Sequence, residues 1–229
     1  MKNFVKSIKM LRYGLQVKMQ LILTLAFFVL GIVFELTMSR VDSGSIISGL
    51  YLAISGVYVF QLMMSSSVST LVQTSSLKRG LQTVHPVIFT TLTTLLTYTI
   101  FVCIRVVRIN KMGGKDFDES TLNASKGIIA VGLMAALLLV YMGICYKLFI
   151  VSIVILCIGV VAIMLMGNIS LVSRVFDFAN DMSLTSIIAL GYGCIIVGGL
   201  LCRLFMGLLY RRSIDMLAVR TALRQASLK

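Results

Sequence analysis

The chain has 229 residues, 59% of them hydrophobic and 13% charged, against about 25% charged in an ordinary soluble domain. That composition excludes a sizeable soluble domain and points to lipid as the solvent of one membrane domain. The net charge of +13 does not call for nucleic acid, because membrane proteins collect Lys and Arg on their cytoplasmic segments, and no nucleic-acid partner is expected. Five cysteines sit in or beside apolar runs without metal-ligand spacing, which fits small buried hydrophobes rather than a redox or metal centre. The first apolar run starts near Leu21, is too long for a signal-peptide core and lacks a small-residue cleavage site after it, so no cleaved leader is expected.

Residues 1–18 predict an amphipathic helix lying in the membrane interface. Phe4, Ile8, Leu11 and Leu15 form one apolar stripe, with Lys2, Lys6 and Lys9 on other faces, a pattern drawn to anionic lipid. A first span is predicted over 21–39, with Glu35 one turn from its end, and a second over 46–64 containing Gln61 and the small pair Gly49 and Ala53. The polar stretch 65–86 follows, in which Leu77, Leu81 and Val84 recur at helical spacing with Lys78 and Arg79 beside them. It reads either as a solvated connector or as a short amphipathic helix docking a cytoplasmic partner.

Span three is predicted over 87–107, opened by Pro86 where a missing N–H is harmless, and it holds six threonines. A polar loop over 109–126 comes next. Spans four and five are expected near 127–146 and 148–166, joined tightly around Lys147. The polar segment 167–183 separates span five from span six, which runs over 184–202 with a continuation toward 209. A basic tail occupies 210–229. The predicted class is therefore an all-α integral membrane protein of about six transmembrane helices, 1–229 forming one membrane domain whose bundle covers 21–209.

With six spans, the N-terminus, the 65–86 loop, the Lys147 turn and the tail share one side. That side holds 14 of the 21 basic residues. Basic residues set orientation, so both termini are expected in the cytoplasm and the protein in the cell membrane. Against this count, Arg105, Arg108, Lys111, Lys115 and Lys126 fall on the supposed outer loop.

Catalytic constellations are missing from the sequence. His85 is the single histidine, and Gly113-Gly114-Lys115 fails as a phosphate loop because Ile109 and Asp116 stand where glycine and Ser or Thr are needed. The chain is not expected to be an enzyme. The remaining handles are polar groups inside spans. Glu35 reads as part of a proton or substrate relay, or as an interfacial residue paired with Arg40. Thr90, Thr94 and Thr97 either bond carbonyls one turn back or, with Glu35, line a translocation path.

The segments SSLKRGLQTVHP at 75–86, VYMGICYKLF at 140–149 and LLYRRSID at 208–215, with the layout around them, resemble the small permease subunits of ABC-2-type ABC transporters. The resemblance implies a coupling helix at 75–85 seated on a separate cytoplasmic ATPase, with Lys78, Arg79, Leu81 and Gln82 facing it. It implies an exporter in which this chain pairs with a second copy or a homologous permease. ATP and Mg would belong to the partner ATPase, with no cofactor in this chain. Two other readings stand beside it: the substrate-capture subunit of a small-molecule importer, and a non-transporting immunity or scaffold protein.

Overall fold

A long uncharged run must satisfy its own backbone N–H and C=O groups when water is scarce, and a helix does so within one segment. The computed structural model describes residues 17–37, 44–67, 78–111, 117–165, 182–212 and 215, and every element among them is helical. In chain order these are α1 (Val17–Thr37), α2 (Gly44–Ser67), α3 (Lys78–Thr83), α4 (His85–Lys111), α5 (Phe117–Cys145), α6 (Phe149–Leu165) and α7 (Leu184–Leu208), closed by a 3₁₀ turn at Leu209–Arg211. Residues 1–16 of the interfacial helix expected over 1–18, residues 169–181 and most of the tail lie outside the described residues. Val17 and Lys18, the last residues of that expected segment, stand instead in the first turn of α1.

Among the described residues five helices are long and apolar enough to cross a membrane: Val17–Thr37, Ile47–Met64, Lys78–Asn110, Ala124–Cys145 and Leu184–Arg211. The 21 residues of α1 measure about 32 Å at 1.5 Å per residue, close to the hydrocarbon thickness of about 30 Å. The sixth apolar helix, α6, has 17 residues, or about 25 Å. The outer surface is apolar: Ile22 and Leu25 on α1, Leu92 and Leu96 on α4, and Ile158 on α6 are all exposed. In water such a surface would drive association.

Two boundaries differ from expectation. The loop predicted over 109–126 shrinks, because α4 runs to Lys111 and α5 begins at Phe117. The strong helix breakers of that stretch, Gly113 and Gly114, both fall in the short interval between the two helices. The amphipathic helix expected over 75–85 is described from Lys78 onward, and there it runs into α4. Val84 N donates to Gly80 O at 3.0 Å and Ile88 N to Val84 O at 3.1 Å, so Lys78–Asn110 behaves as one 33-residue rod with a single turn residue in it.

Pairwise contacts fix the order of packing. α1 lies antiparallel on α2, with Gly31 against Leu52, Phe27 stacked on Tyr58 and Phe34 on Tyr51. α2 is antiparallel to α4 through Gly56 and Thr94, and α4 to α5 through the Tyr98 hydroxyl, which donates to Ile128 O at 3.3 Å. α6 returns along α5, Gly159 meeting Leu137. Among the five long helices α5 is the most buried and α1 the least.

α5 and α7 run parallel, and their seam is built from small residues. Backbones meet where Gly132 faces Gly191, Ala136 faces Gly198 and Gly143 faces Cys202. A Cβ added at Gly143 would stand 2.9 Å from the Cys202 Cα, and one at Gly198 2.7 Å from the Ala136 Cα. Between lipid-solvated helices there is little hydrophobic drive to associate, so close backbone approach through small residues supplies the packing energy.

Candidate functional site

The alternation of helices gathers polar groups at the two ends of the bundle. At one end, Glu35 near the C-terminus of α1 meets Arg105 and Arg108 of α4 and Ser48 of α2. Arg105 Nε lies 3.1 Å from Glu35 Oε1, with side-chain exposures of 6% and 2%. Arg108 Nη1 stands 3.6 Å from the same oxygen, and Ser48 Oγ donates to Glu35 Oε2. Arg108 Nη2 also donates to the Glu35 carbonyl at 2.6 Å, closing one of the open acceptors that any helix end leaves. Arg105 reaches on to Ala124 O at 3.4 Å and stacks 4.5 Å above the Phe101 ring. Burial of an unpaired charge is costly, and here the carboxylate accepts from Arg105 and Ser48 and forms a longer ion pair with Arg108.

This placement settles part of the charge imbalance in the sequence. Arg105 and Arg108 were counted as loop residues, whereas both belong to α4 and compensate a buried carboxylate. The sequence offered Arg40 as the partner of Glu35; Arg40 lies outside the described residues. The missed signal was periodic: Thr90, Thr94, Thr97, Phe101, Arg105 and Arg108 repeat every three to four positions, so the arginines extend the inward face of α4.

Along that face Thr90, Thr94 and Thr97 are all buried. Thr94 Oγ1 donates to Thr90 O at 2.8 Å and Thr97 Oγ1 to Thr94 O at 3.0 Å, the back-bonding expected of hydroxyls in an apolar helix. Among the described residues the hydroxyls of Thr90 and Thr91 are buried without a hydrogen-bond partner. Thr94 and Thr97 line a narrow void with Gly49, Ala53 and Tyr98. The candidate path residues thus share one stripe of α4, and Glu35 caps it at the arginine end.

The opposite end is basic. Lys78 and Arg79 stand at the first turn of the α3–α4 rod, Lys147 in the α5–α6 turn, and Arg211 and Arg212 after α7. Arg79 lies 5.9 Å above the Tyr210 ring, and Lys147 Nζ donates to Arg212 O at 2.6 Å. Asp215 Oδ2 accepts from Phe149 N at 3.2 Å, and Asp215 N donates to Tyr146 O at 3.0 Å. The carboxylate thereby meets the positive N-terminal end of α6. Lys147 is held below its usual ammonium range by partial burial and by the neighbouring Lys78 charge.

Of the four residues expected to face an ATPase, Lys78 and Arg79 reach the surface. Leu81 and Gln82 do not, being 1% and 9% exposed, because the rod is packed against α2 and α7 along that side. The apolar stripe predicts a face docked on a cytoplasmic partner, and at Leu81 the bundle itself covers it.

The described part is an all-helical bundle with an apolar outside, a buried ion-pair cluster at one end and a basic surface at the other. No protein-family model, no curated protein sequence and no solved structure matches this chain. Among the described residues no group of His, Cys, Asp and Glu is placed to hold a metal ion.

Proposed function

We propose that this chain is the membrane-spanning permease subunit of an ATP-driven exporter of the ABC-2 kind, working as a dimer on separate cytoplasmic ATPase subunits that carry ATP and Mg. Its basic end faces the cytoplasm in this reading, in keeping with the excess of cations there. The observation that carries it is the continuity of α3 into α4. A push on Lys78 and Arg79 by a closing ATPase is borne by one rod, whose flank at Leu81 and Gln82 is gripped by the bundle. From Lys78 to Arg105 that rod is about 40 Å long at the helical rise, and Arg105 ends on Glu35. ATPase movement would thus reach the far end as a strain on the Glu35 cluster, loosening α1 and α2 from α4. The α6 return alongside α5 supports six crossings, since α5 and α7 run parallel and the chain must come back between them.

The test is affinity isolation of the full chain with a co-expressed ATPase of the neighbouring reading frame. Charge reversal at both Lys78 and Arg79 is expected to reduce ATPase recovery, and cysteine labelling at position 78 is expected from the cytoplasmic side. A complex that survives both the reversal and deletion of 75–84, or label entering from outside, overturns the reading. A non-transporting scaffold is the second reading, favoured by the close α5–α7 seam, and it predicts no ATPase in the isolate.

A further inference from the structure

α2 is gripped on three sides: Leu52 meets Gly31 of α1, Gly56 meets Thr94 of α4 and Gly49 meets Val131 of α5. The remaining side carries Ile47, Leu50, Ile54, Val57 and Gln61, spaced alternately three and four residues apart, and each is exposed or half-buried. That spacing is the seam of a left-handed helix pair, about 21 Å long from Ile47 to Gln61 at the helical rise. Gln61 falls inside the apolar stretch Ile47–Met64, and its amide makes no hydrogen bond among the described residues. At the edge of the seam the rings of Tyr51 and Tyr58 stack on Phe27 of α1, and their hydroxyls likewise make no hydrogen bond among the described residues.

We propose that this face of α2 docks a second copy of the chain, α2 against α2 across a two-fold axis along the membrane normal. An amide left among lipid tails is costly, because hydrocarbon offers it no partner. A primary amide carries both donors and an acceptor, so a copy of itself satisfies it. The two-fold axis brings the two Gln61 side chains to the same depth, where they pair reciprocally. Ile47, Leu50, Ile54 and Val57 close the rest of the seam, and the single polar position fixes its register. Hydrogen-bond complementarity selects a helix over a lipid tail, and the self-matching of one amide selects a second copy over an unrelated helix.

This inference rests on the dimer of the exporter reading and names its face, but it needs no ATPase and is tested on the isolated full chain. Copies labelled at the amino terminus with a donor or an acceptor dye are mixed in phosphatidylcholine vesicles, and energy transfer is followed over a range of protein-to-lipid ratios. Transfer is expected to rise to a dimer plateau. Gln61→Leu should weaken association about three- to tenfold, the scale of an interhelical hydrogen bond in lipid, and Gln61→Asn, which keeps the amide, should weaken it less. On oxidation Gln61→Cys should add a cross-linked dimer to whatever the unaltered chain gives, whereas Ile158→Cys, on the exposed side of α6, should add none. Absence of transfer at every ratio, association undiminished in Gln61→Leu, or cross-linking through Ile158→Cys in place of Gln61→Cys overturns the proposal. A dimer joined through α6 would leave the exporter reading standing, since that reading fails only on ATPase recovery and the side from which position 78 is labelled.

Discussion

Glu35 and Arg105 stand 70 positions apart in sequence, yet the carboxylate and guanidinium meet at 3.1 Å with both side chains buried. The pair ties the C-terminal end of α1 to α4, while Ser48 ties the same carboxylate to α2. Three helices that are otherwise joined by apolar contact are therefore registered at one point.

Breaking that pair from one side should be worse than removing it. Glu35→Gln leaves the buried Arg105 charge uncompensated, a loss of about 3–5 kcal/mol, and Arg105→Met costs less because Ser48 and Arg108 still hold the carboxylate. The double variant should recover much of that loss, because neither charge then remains. Unfolding of the four proteins in mixed micelles measures the cycle. Additive single effects would mean that the two residues do not depend on each other.

The α5–α7 seam predicts a sharp contrast between glycines on one helix. Gly198→Val places carbon against the Ala136 backbone and should destabilise by about 1–3 kcal/mol through overpacking. Gly193 has open space where its side chain would be, so Gly193→Ala should be neutral or slightly stabilising by helix propensity. Thermal unfolding of both variants checks this, and equal effects would remove the seam from the account.

Lys147 offers a pH signature. Its folded pKa is lowered from 10.5, by burial first and by Lys78 second. The unfolded chain therefore holds more protons than the folded one between the lowered value and 10.5, and stability rises with pH across that window. The penalty is fully present below the folded pKa and gone above 10.5. Lys78→Gln should move the Lys147 midpoint upward by part of the shift, since burial remains. Titration of ¹³C-methylated lysines by NMR reads both midpoints directly; a Lys147 midpoint level with the exposed lysines would contradict the packing around the α5–α6 turn.

The helices themselves were legible in the residues. Span six was expected from 184, where α7 begins, and span five over 148–166 against α6 at 149–165. Long uncharged runs leave the backbone little alternative in hydrocarbon, so element type and rough bounds follow from local composition. The polar flanks were less legible. Lys78–Thr83 has the period of a surface helix, and nothing local says whether its apolar stripe meets lipid, a partner or its own bundle.

By itself the sequence determined that this chain is helical, that its outside is apolar, and where its cations concentrate, because solvent preference and helix period act over neighbouring residues. Only the tertiary structure decided that Glu35 pairs with Arg105, that Leu81 and Gln82 turn inward, and that α5 and α7 share a glycine seam. Those outcomes depend on which helices become neighbours and at what depth. A helix period can mark which face of α4 turns inward, but it does not name the segment which that face meets.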